Sequence, residues 1–419
     1  MKYHKQMLRV FVMTVLCCVL LSSCAGAGSS HVISTDAPAM ADTTLATEEV
    51  KMPEIEEFSV TVAASKSNWW GCGVQYTRLI TLSDGTMLAT FERLNSGLEA
   101  QKPGYAIYRS TDGGKTWSLG TVVRETDKTM QSEWNPFLLE LTMPLGDYPA
   151  GTVLLAGCSI DAAHSTASAI RLYASADGGK SFGKPVTVAS AGGLENGVWE
   201  PHLVQLDDGR LVCFYSDDSD AIRSQKIVYK VSEDGVAFGD AVDVVASSVY
   251  TERPGMAVIT RLGDGSYFMV YEVVNYRSGA VNPIMYRVSV DGLDWGDASD
   301  IGTELVSVDG KALGSAPYCA WSPAGGEQGT IVVSGTFMRE GTSNTGTDLF
   351  ISKNDGKTWT TVPHPIPYDA SVTNVGYSNC IAFSQDGRTL YALNNPLKDD
   401  NSGRSQIVFS AVDFDKLIK

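Results

Sequence analysis

The sequence predicts an all-β fold, a six-bladed β-propeller, from three observations. First, an Asp-Gly turn closed by an aromatic residue recurs. The copy Tyr108-Arg109-Ser110-Thr111-Asp112-Gly113-Gly114-Lys115-Thr116-Trp117 is echoed by Tyr173-Ala174-Ser175-Ala176-Asp177-Gly178-Gly179-Lys180-Ser181-Phe182, and degenerate copies end at Phe238, Trp295 and Trp359. The aromatic residues fall 65, 56, 57 and 64 positions apart, the signature of a repeat array. Second, a shorter turn interleaves with the first six times, at Leu82–Leu88, Ala150–Leu154, Leu206–Leu211, Leu262–Tyr267, Gln328–Val332 and Ser384–Thr389. Third, one strand-like stretch, Phe58-Ser59-Val60-Thr61-Val62-Ala63, precedes the first repeat, and the last repeat is incomplete.

Each element has a local reason. In the long turn a short Asp side chain can bond the turn's own backbone, Gly supplies positive φ, and the aromatic packs beneath. The short turn has an apolar run on both sides, which makes it a tight hairpin between buried strands. The unit is therefore strand A, hairpin, strand B, loop, strand C, Asp/aromatic turn, strand D. Four antiparallel strands in about 60 residues are one propeller blade. The sixth unit has strands A and B between Cys380 and Leu393 and a C strand, Gln406-Ile407-Val408-Phe409-Ser410, but no D strand. The stretch Phe58–Ala63 is expected to supply it, closing the ring and removing an exposed edge.

The segments before the propeller carry other signals. Residues 1–24 begin with Lys2, Lys5 and Arg9 and continue in the apolar Val10–Leu21, a targeting segment too short for a comfortable membrane span. Leu21-Ser22-Ser23-Cys24 resembles the lipobox of a bacterial lipoprotein signal. That resemblance implies acylation of Cys24 and a firm anchor in the bacterial cell envelope, periplasmic or on the outer-membrane surface. Residues 25–56 read as a flexible tether, and 57–419 as a single propeller domain that grows by adding blades. A monomer is expected, touching membrane only through the anchor.

Composition excludes some function classes. A formal net charge of −16 disfavours a nucleic-acid partner. Beyond Cys24, the cysteines Cys72, Cys158, Cys213, Cys319 and Cys380 show no ligand spacing and sit mostly in apolar strands, so buried free thiols are expected. The histidines are scattered, with only His202 near the predicted site. No phosphate-cradling loop or nucleophile elbow occurs, and nothing calls for a cofactor or metal.

Topology places the chemistry. Strand A starts, and strand B ends, on one face of every blade, while both turn types lie on the other. The residues ringing one channel mouth are then Arg78 and Glu92 in blade one, Trp199, Glu200, Asp217 and Asp218 in blade three, Glu252, Arg253 and Glu272 in blade four, and Tyr377 in blade six. Glu92 and Glu272 each follow the Asp of their own hairpin by eight positions, and Glu200 precedes Asp208 by eight. Glu200 and Glu272 thus share a face on adjacent blades, both with apolar flanks. A carboxyl beside Trp in a partly dry site has the raised pKa a general acid needs. A second carboxylate can act as nucleophile, the pairing of retaining glycosidases.

The Asp/aromatic turns look like the Asp-box repeats of the sialidase superfamily. Five other stretches resemble the six-bladed exo-α-1,5-L-arabinanases of glycoside hydrolase family 93: Tyr76-Thr77-Arg78-Leu79-Ile80, Trp199-Glu200-Pro201-His202-Leu203, Arg253-Pro254-Gly255-Met256, Tyr271-Glu272 and Gly314-Ser315-Ala316-Pro317-Tyr318. The similarity spans residues 68–412. It implies a retaining hydrolase of arabinose-type glycans with Glu200 and Glu272 as the catalytic pair, and an oligo- or polysaccharide substrate contacted by Arg78, Glu92, Trp199, Glu252, Arg253 and Tyr377. Two alternatives stand beside it. An exo-sialidase would use Arg78 and Tyr377 but lacks a second and third Arg at strand-A starts to grip a carboxylate. A non-catalytic cell-surface glycan-binding propeller would need no paired glutamates.

Overall fold

The computed structural model describes residues 54–66, 73–93, 104–130, 132–161, 166–340, 343–344, 347–372 and 375–419. The expectations for the leader with Cys24, for most of the tether, and for Cys72 fall outside these residues. The chain from Glu54 to Lys419 is one compact unit.

Strands fill the unit. After β1 (Phe58–Ala64) come four per blade. Blade one holds β2 (Gln75–Thr81), β3 (Met87–Glu92), β4 (Tyr105–Ser110) and β5 (Ser118–Val123); blade two, β6 (Ser132–Glu140), β7 (Val153–Ile160), β8 (Ser168–Ser175) and β9 (Val186–Ala191). Blade three holds β10 (Val198–Gln205), β11 (Leu211–Asp217), β12 (Lys226–Ser232) and β13 (Val242–Val245); blade four, β14 (Arg253–Arg261), β15 (Tyr267–Val274), β16 (Ile284–Ser289) and β17 (Thr303–Glu304). A small sheet of β18 (Lys311–Gly314), β21 (Phe337–Glu340) and β22 (Ser343–Asn344) flanks blade five, which is β19 (Tyr318–Ser322), β20 (Thr330–Ser334), β23 (Leu349–Ser352) and β24 (Thr360–Val362). The sixth sheet runs β25 (Cys380–Phe383), β26 (Thr389–Asn394), β27 (Gln406–Asp413), then β1, and the helical turn α1 (Phe414–Leu417) follows.

The ring closes as the sequence predicts. Phe58 pairs with Ala411 and Val60 with Phe409, so the amino-terminal strand is the outer strand of the last blade. The C strand there runs three residues further than the sequence suggested, to Asp413, whose side chain caps α1 by accepting the Lys416 N–H. Strand β7 is buried along its whole length because neighbouring blades cover both its faces, which is why B strands read as continuous apolar runs. Cys158, Cys213, Cys319 and Cys380 are buried free thiols, as expected.

The Asp/aromatic turns wedge each blade against the one before it. Asp112 accepts the Thr116 N–H (3.0 Å) and hydroxyl (2.6 Å), Ser110 Oγ accepts the Gly114 N–H (2.9 Å), and Trp117 Nε1 donates to the Gly114 carbonyl (2.8 Å). Asp177 repeats this set with Ser175 and Ser181. The Trp117 ring lies 5.4 Å from Phe409 of the closing blade. At Gly114 (φ +90°) a Cβ would stand 2.3 Å from that Phe409 ring. Gly114→Ala is therefore expected to destabilise the fold by about 2–4 kcal/mol, from overpacking plus left-handed strain. Calorimetry checks this: a lowered Tm is the expected result, and an unchanged Tm shows that the blade-one junction does not depend on that contact.

Candidate active site

One device, used six times, shapes the channel mouth. Two residues before the first regular pair of every A strand, the backbone enters the left-handed region: Tyr76 (φ 54°), Asn135 (50°), Glu200 (59°), Met256 (57°), Ala316 (46°) and Ser378 (51°). The A–B register shifts there in the first four blades, as a β-bulge does. A non-Gly residue in this region is uncommon and costs energy, so the surroundings must hold it.

The holding groups come from the end of strand B in the preceding blade. Glu92 Oε1 accepts the Asn135 N–H (2.8 Å), Ser216 Oγ the Met256 N–H (3.1 Å), and Glu272 Oε2 the Ala316 N–H (2.9 Å). The equivalence of Glu92 and Glu272 inferred from spacing is thus physical: each ties its blade to the next.

Glu200 occupies the left-handed position of blade three. Its Oε2 accepts the Ser216 hydroxyl (2.7 Å) and the Met256 N–H of blade four (3.0 Å). Burial, reinforced by the charge of Glu272, pushes its carboxyl up to about 7 against those two stabilising hydrogen bonds. Glu272, also buried, is raised by desolvation, opposed by the Ala316 N–H, the Ser315 hydroxyl and the Arg253 charge.

A pocket of about 330 Å³ opens over Glu200. Blades one and two supply Gln75, Glu92, Trp134 and Asn135, blade three Trp199 and Asp218, blade four Arg253, and blade six Tyr377. The Trp134 and Trp199 rings lie 6.1 Å apart at 31°. Trp199 Nε1 (3.2 Å) and Arg253 Nη2 (2.9 Å) both donate to Asp218 Oδ2, and Arg253 also donates to Gln225 (2.6 Å). Glu92 is raised by burial and fully partnered, with Gln75 on its other oxygen (3.0 Å). Tyr377, its phenol raised far by burial and by Glu272, Glu200 and Glu92 in that order, packs on the Tyr76, Met256 and Ala316 floor. Glu272 borders this pocket closely enough for its charge to act on both Glu200 and Tyr377.

Two of the proposed sugar contacts stand elsewhere. Arg78 is carried behind the floor by the bulge at Tyr76. Its guanidinium lies 3.9 Å from the Tyr76 ring centroid and 5.1 Å from that of Tyr318, and Nη1 donates to the Thr77 carbonyl and to Ser378. Glu252 does not face the pocket. Its buried carboxylate accepts from the Ser247 hydroxyl and from Arg277 N–H, Nε and Nη2, which holds it down to about 2. His202, near the site in sequence, is a buried spacer: Nε2 meets the Ile259 backbone, and burial lowers its pKa to about 3. Sequence reading did not single out Trp134 and Asn135, although Trp134-Asn135-Pro136-Phe137-Leu138 echoes Trp199-Glu200-Pro201-His202-Leu203 one blade earlier. Among the described residues no group of His, Cys, Asp and Glu is arranged to hold a metal.

Solved structures resemble this chain over most of its length. The α-L-arabinanase of Penicillium chrysogenum, solved with arabinobiose, is 33% identical and aligns over 87% of this chain and 100% of its own, with a TM-score of 0.75. The GH93 α-L-arabinofuranosidase of Fusarium graminearum, also solved with arabinobiose, is 30% identical over 87% of this chain and 99% of its own, with a TM-score of 0.74. That Fusarium enzyme was also solved as a glutamate-to-alanine variant with an iminosugar inhibitor. A Hadza microbial sialidase, 14% identical with a TM-score of 0.57 over 86% of this chain and 69% of its own, shares the fold. No family model and no curated protein matches the sequence.

Proposed function

Because the chain belongs to glycoside hydrolase family 93, we propose that it hydrolyses α-L-arabinofuranosyl linkages of arabinan-type glycans with retention of configuration, through Glu200 and Glu272. The observation that carries this reading is a pair of glutamates from adjacent blades, Glu272 buried and Glu200 part-buried, open to the pocket and lifted to about 7.

The surroundings support one division of roles. Glu200, protonated near neutrality, gives its proton to the glycosidic oxygen as that bond breaks. Glu272, raised by burial but drawn back towards the ionised form by hydrogen bonds from Ala316 and Ser315 and by the Arg253 charge, attacks the anomeric carbon and forms an arabinosyl ester. Glu200, now a carboxylate, takes a proton from water, which displaces Glu272 and restores the original anomer. Trp134 and Trp199 offer aromatic faces to the sugar, and the Asp218–Arg253–Gln225 group offers polar partners. In the cell the enzyme would be held in the envelope by acylated Cys24.

The sialidase alternative finds little support. Arg78 is enclosed by aromatic rings behind the floor, and among the described residues lining the pocket Arg253, engaged by Asp218 and Gln225, is the one arginine, where a sialidase needs three to grip a carboxylate. The test is hydrolysis of linear α-1,5-arabinan and of a chromogenic sialoside by wild type, Glu200→Ala and Glu272→Ala. Arabinan cleavage lost in both variants supports the proposal. Sialoside cleavage that survives both substitutions moves the chemistry towards Tyr377, and glycan binding without turnover of either substrate makes the protein a lectin.

A further inference from the structure

Apolar side chains left exposed beside the pocket gather in one quadrant of the mouth face. Leu194 (44% exposed), in the loop entering blade three, lines the pocket. Ile222 (73%), Tyr250 (61%) and Val281 (55%) stand on the next three mouth loops, between β11 and β12, β13 and β14, and β15 and β16. Tyr250 is the one aromatic in the fully exposed class among the described residues.

These loops are braced to each other and to the pocket wall. Asp220 Oδ1 accepts the Ile222 (2.7 Å) and Arg223 (3.0 Å) N–H groups. Ser224 donates to the Tyr250 carbonyl through both its N–H (3.2 Å) and its hydroxyl (2.7 Å). The Ser224 carbonyl accepts from Arg253 Nη1 (3.1 Å), whose other nitrogen holds Asp218 and Gln225. The Glu252–Arg277 pair locks the Tyr250 loop to the one carrying Val281.

The Glu252 carboxylate is buried while Arg277 is about half exposed, and together with the Ser224 bonds the pair fixes how these loops present their exposed apolar side chains. A preorganised surface aromatic loses little freedom on binding and offers the flat face on which a sugar's C–H groups pack. We propose that this rim over blades three and four is a second glycan-contact surface. It takes the units of a neutral polysaccharide that extend beyond the pocket, with Tyr250 as the stacking platform and Ile222 beside it. The inference rests on the glycoside hydrolase reading and names the substrate as a chain longer than the pocket holds. The net charge of −16 selects against an anionic chain. The apolar residues are separated by Arg223, Ser224 and Ser278 along the loops, unlike the continuous apolar core of a protein interface.

The experiment compares wild type with Tyr250→Ala and with the Tyr250→Ala/Ile222→Ser double variant on long linear α-1,5-arabinan and on arabinotriose. Both side chains are exposed, so Tm should hold. The expected result is a three- to tenfold rise in KM for the polymer, about the worth of one aromatic contact, with arabinotriose kinetics unchanged. Equal effects on both substrates, or none on either, overturn the assignment and leave the catalytic reading standing. Wild type inactive on both substrates overturns the catalytic reading instead; retardation in gels containing arabinan then tests the rim directly. Retardation abolished by Tyr250→Ala upholds it, and no retardation of wild type overturns it. Self-association abolished by the double variant, with polymer kinetics unchanged, assigns the surface to a second copy of the chain and likewise overturns it.

Discussion

Replacing Glu272 by Ala is expected to lower kcat/KM on arabinan by roughly 10⁴-fold or more, the scale on which removal of a nucleophile acts. Sodium azide is expected to restore turnover, because a small anion can enter the space left by the carboxylate and attack the anomeric carbon while Glu200 protonates the leaving oxygen. The product is then the β-arabinosyl azide, inverted relative to the substrate. Glu272 also holds the Ala316 N–H, so removal of its carboxylate leaves a buried donor unpaired at a cost of about 1–3 kcal/mol. Glu272→Gln separates the two roles: its amide oxygen can keep the Ala316 bond, so a Tm close to wild type with activity still lost identifies a chemical role. Activity that returns in Glu272→Gln would mean that the residue serves the fold and not the reaction.

Glu200 gives the second large effect, and its sign with pH is fixed by its environment. A group that must be protonated to act, lifted to about 7, makes kcat/KM fall as pH rises through about 7. Glu200→Gln is expected to remove that alkaline limb and to lower activity on arabinan by about 10²–10⁴-fold, the usual worth of general acid catalysis. An arabinoside with a dinitrophenol leaving group needs no proton, so its first bond cleavage should be nearly unaffected and an arabinosyl–enzyme burst should accumulate. Because the Glu272 charge helps to raise Glu200, Glu272→Gln should move the Glu200 titration downward, which carbon-detected NMR can follow. A Glu200 titration that stays in place would show the two carboxyls to be uncoupled.

The blade count and ring closure were legible because they rest on spacing and on turn chemistry that acts within a few residues. The placement of Glu200 and Glu272 on adjacent blades was legible for the same reason, since hairpin offsets set it. Arg78 and Glu252 were misplaced because side-chain direction changes where the register does. Its place at the start of strand A puts Arg78 at the mouth, but the left-handed residue Tyr76 intervenes. The six left-handed positions are occupied by Tyr, Asn, Glu, Met, Ala and Ser, so no Gly marks them. Their support is contributed from the previous blade, more than 40 residues away for Asn135 and Ala316. Glu252 precedes Arg253 in sequence, yet it turns to Arg277 of the next loop, a partner that strand offsets do not reveal. The small sheet beside blade five escaped notice because its strands are only two to four residues long.

Retaining hydrolysis by a glutamate pair fixes the anomer released first, which proton NMR of wild type acting on linear α-1,5-arabinan reads. Released sugar that appears first as the α-anomer and only later equilibrates with the β-anomer is the predicted result. First appearance of the β-anomer contradicts the double-displacement mechanism, and no release of sugar contradicts the proposed activity itself.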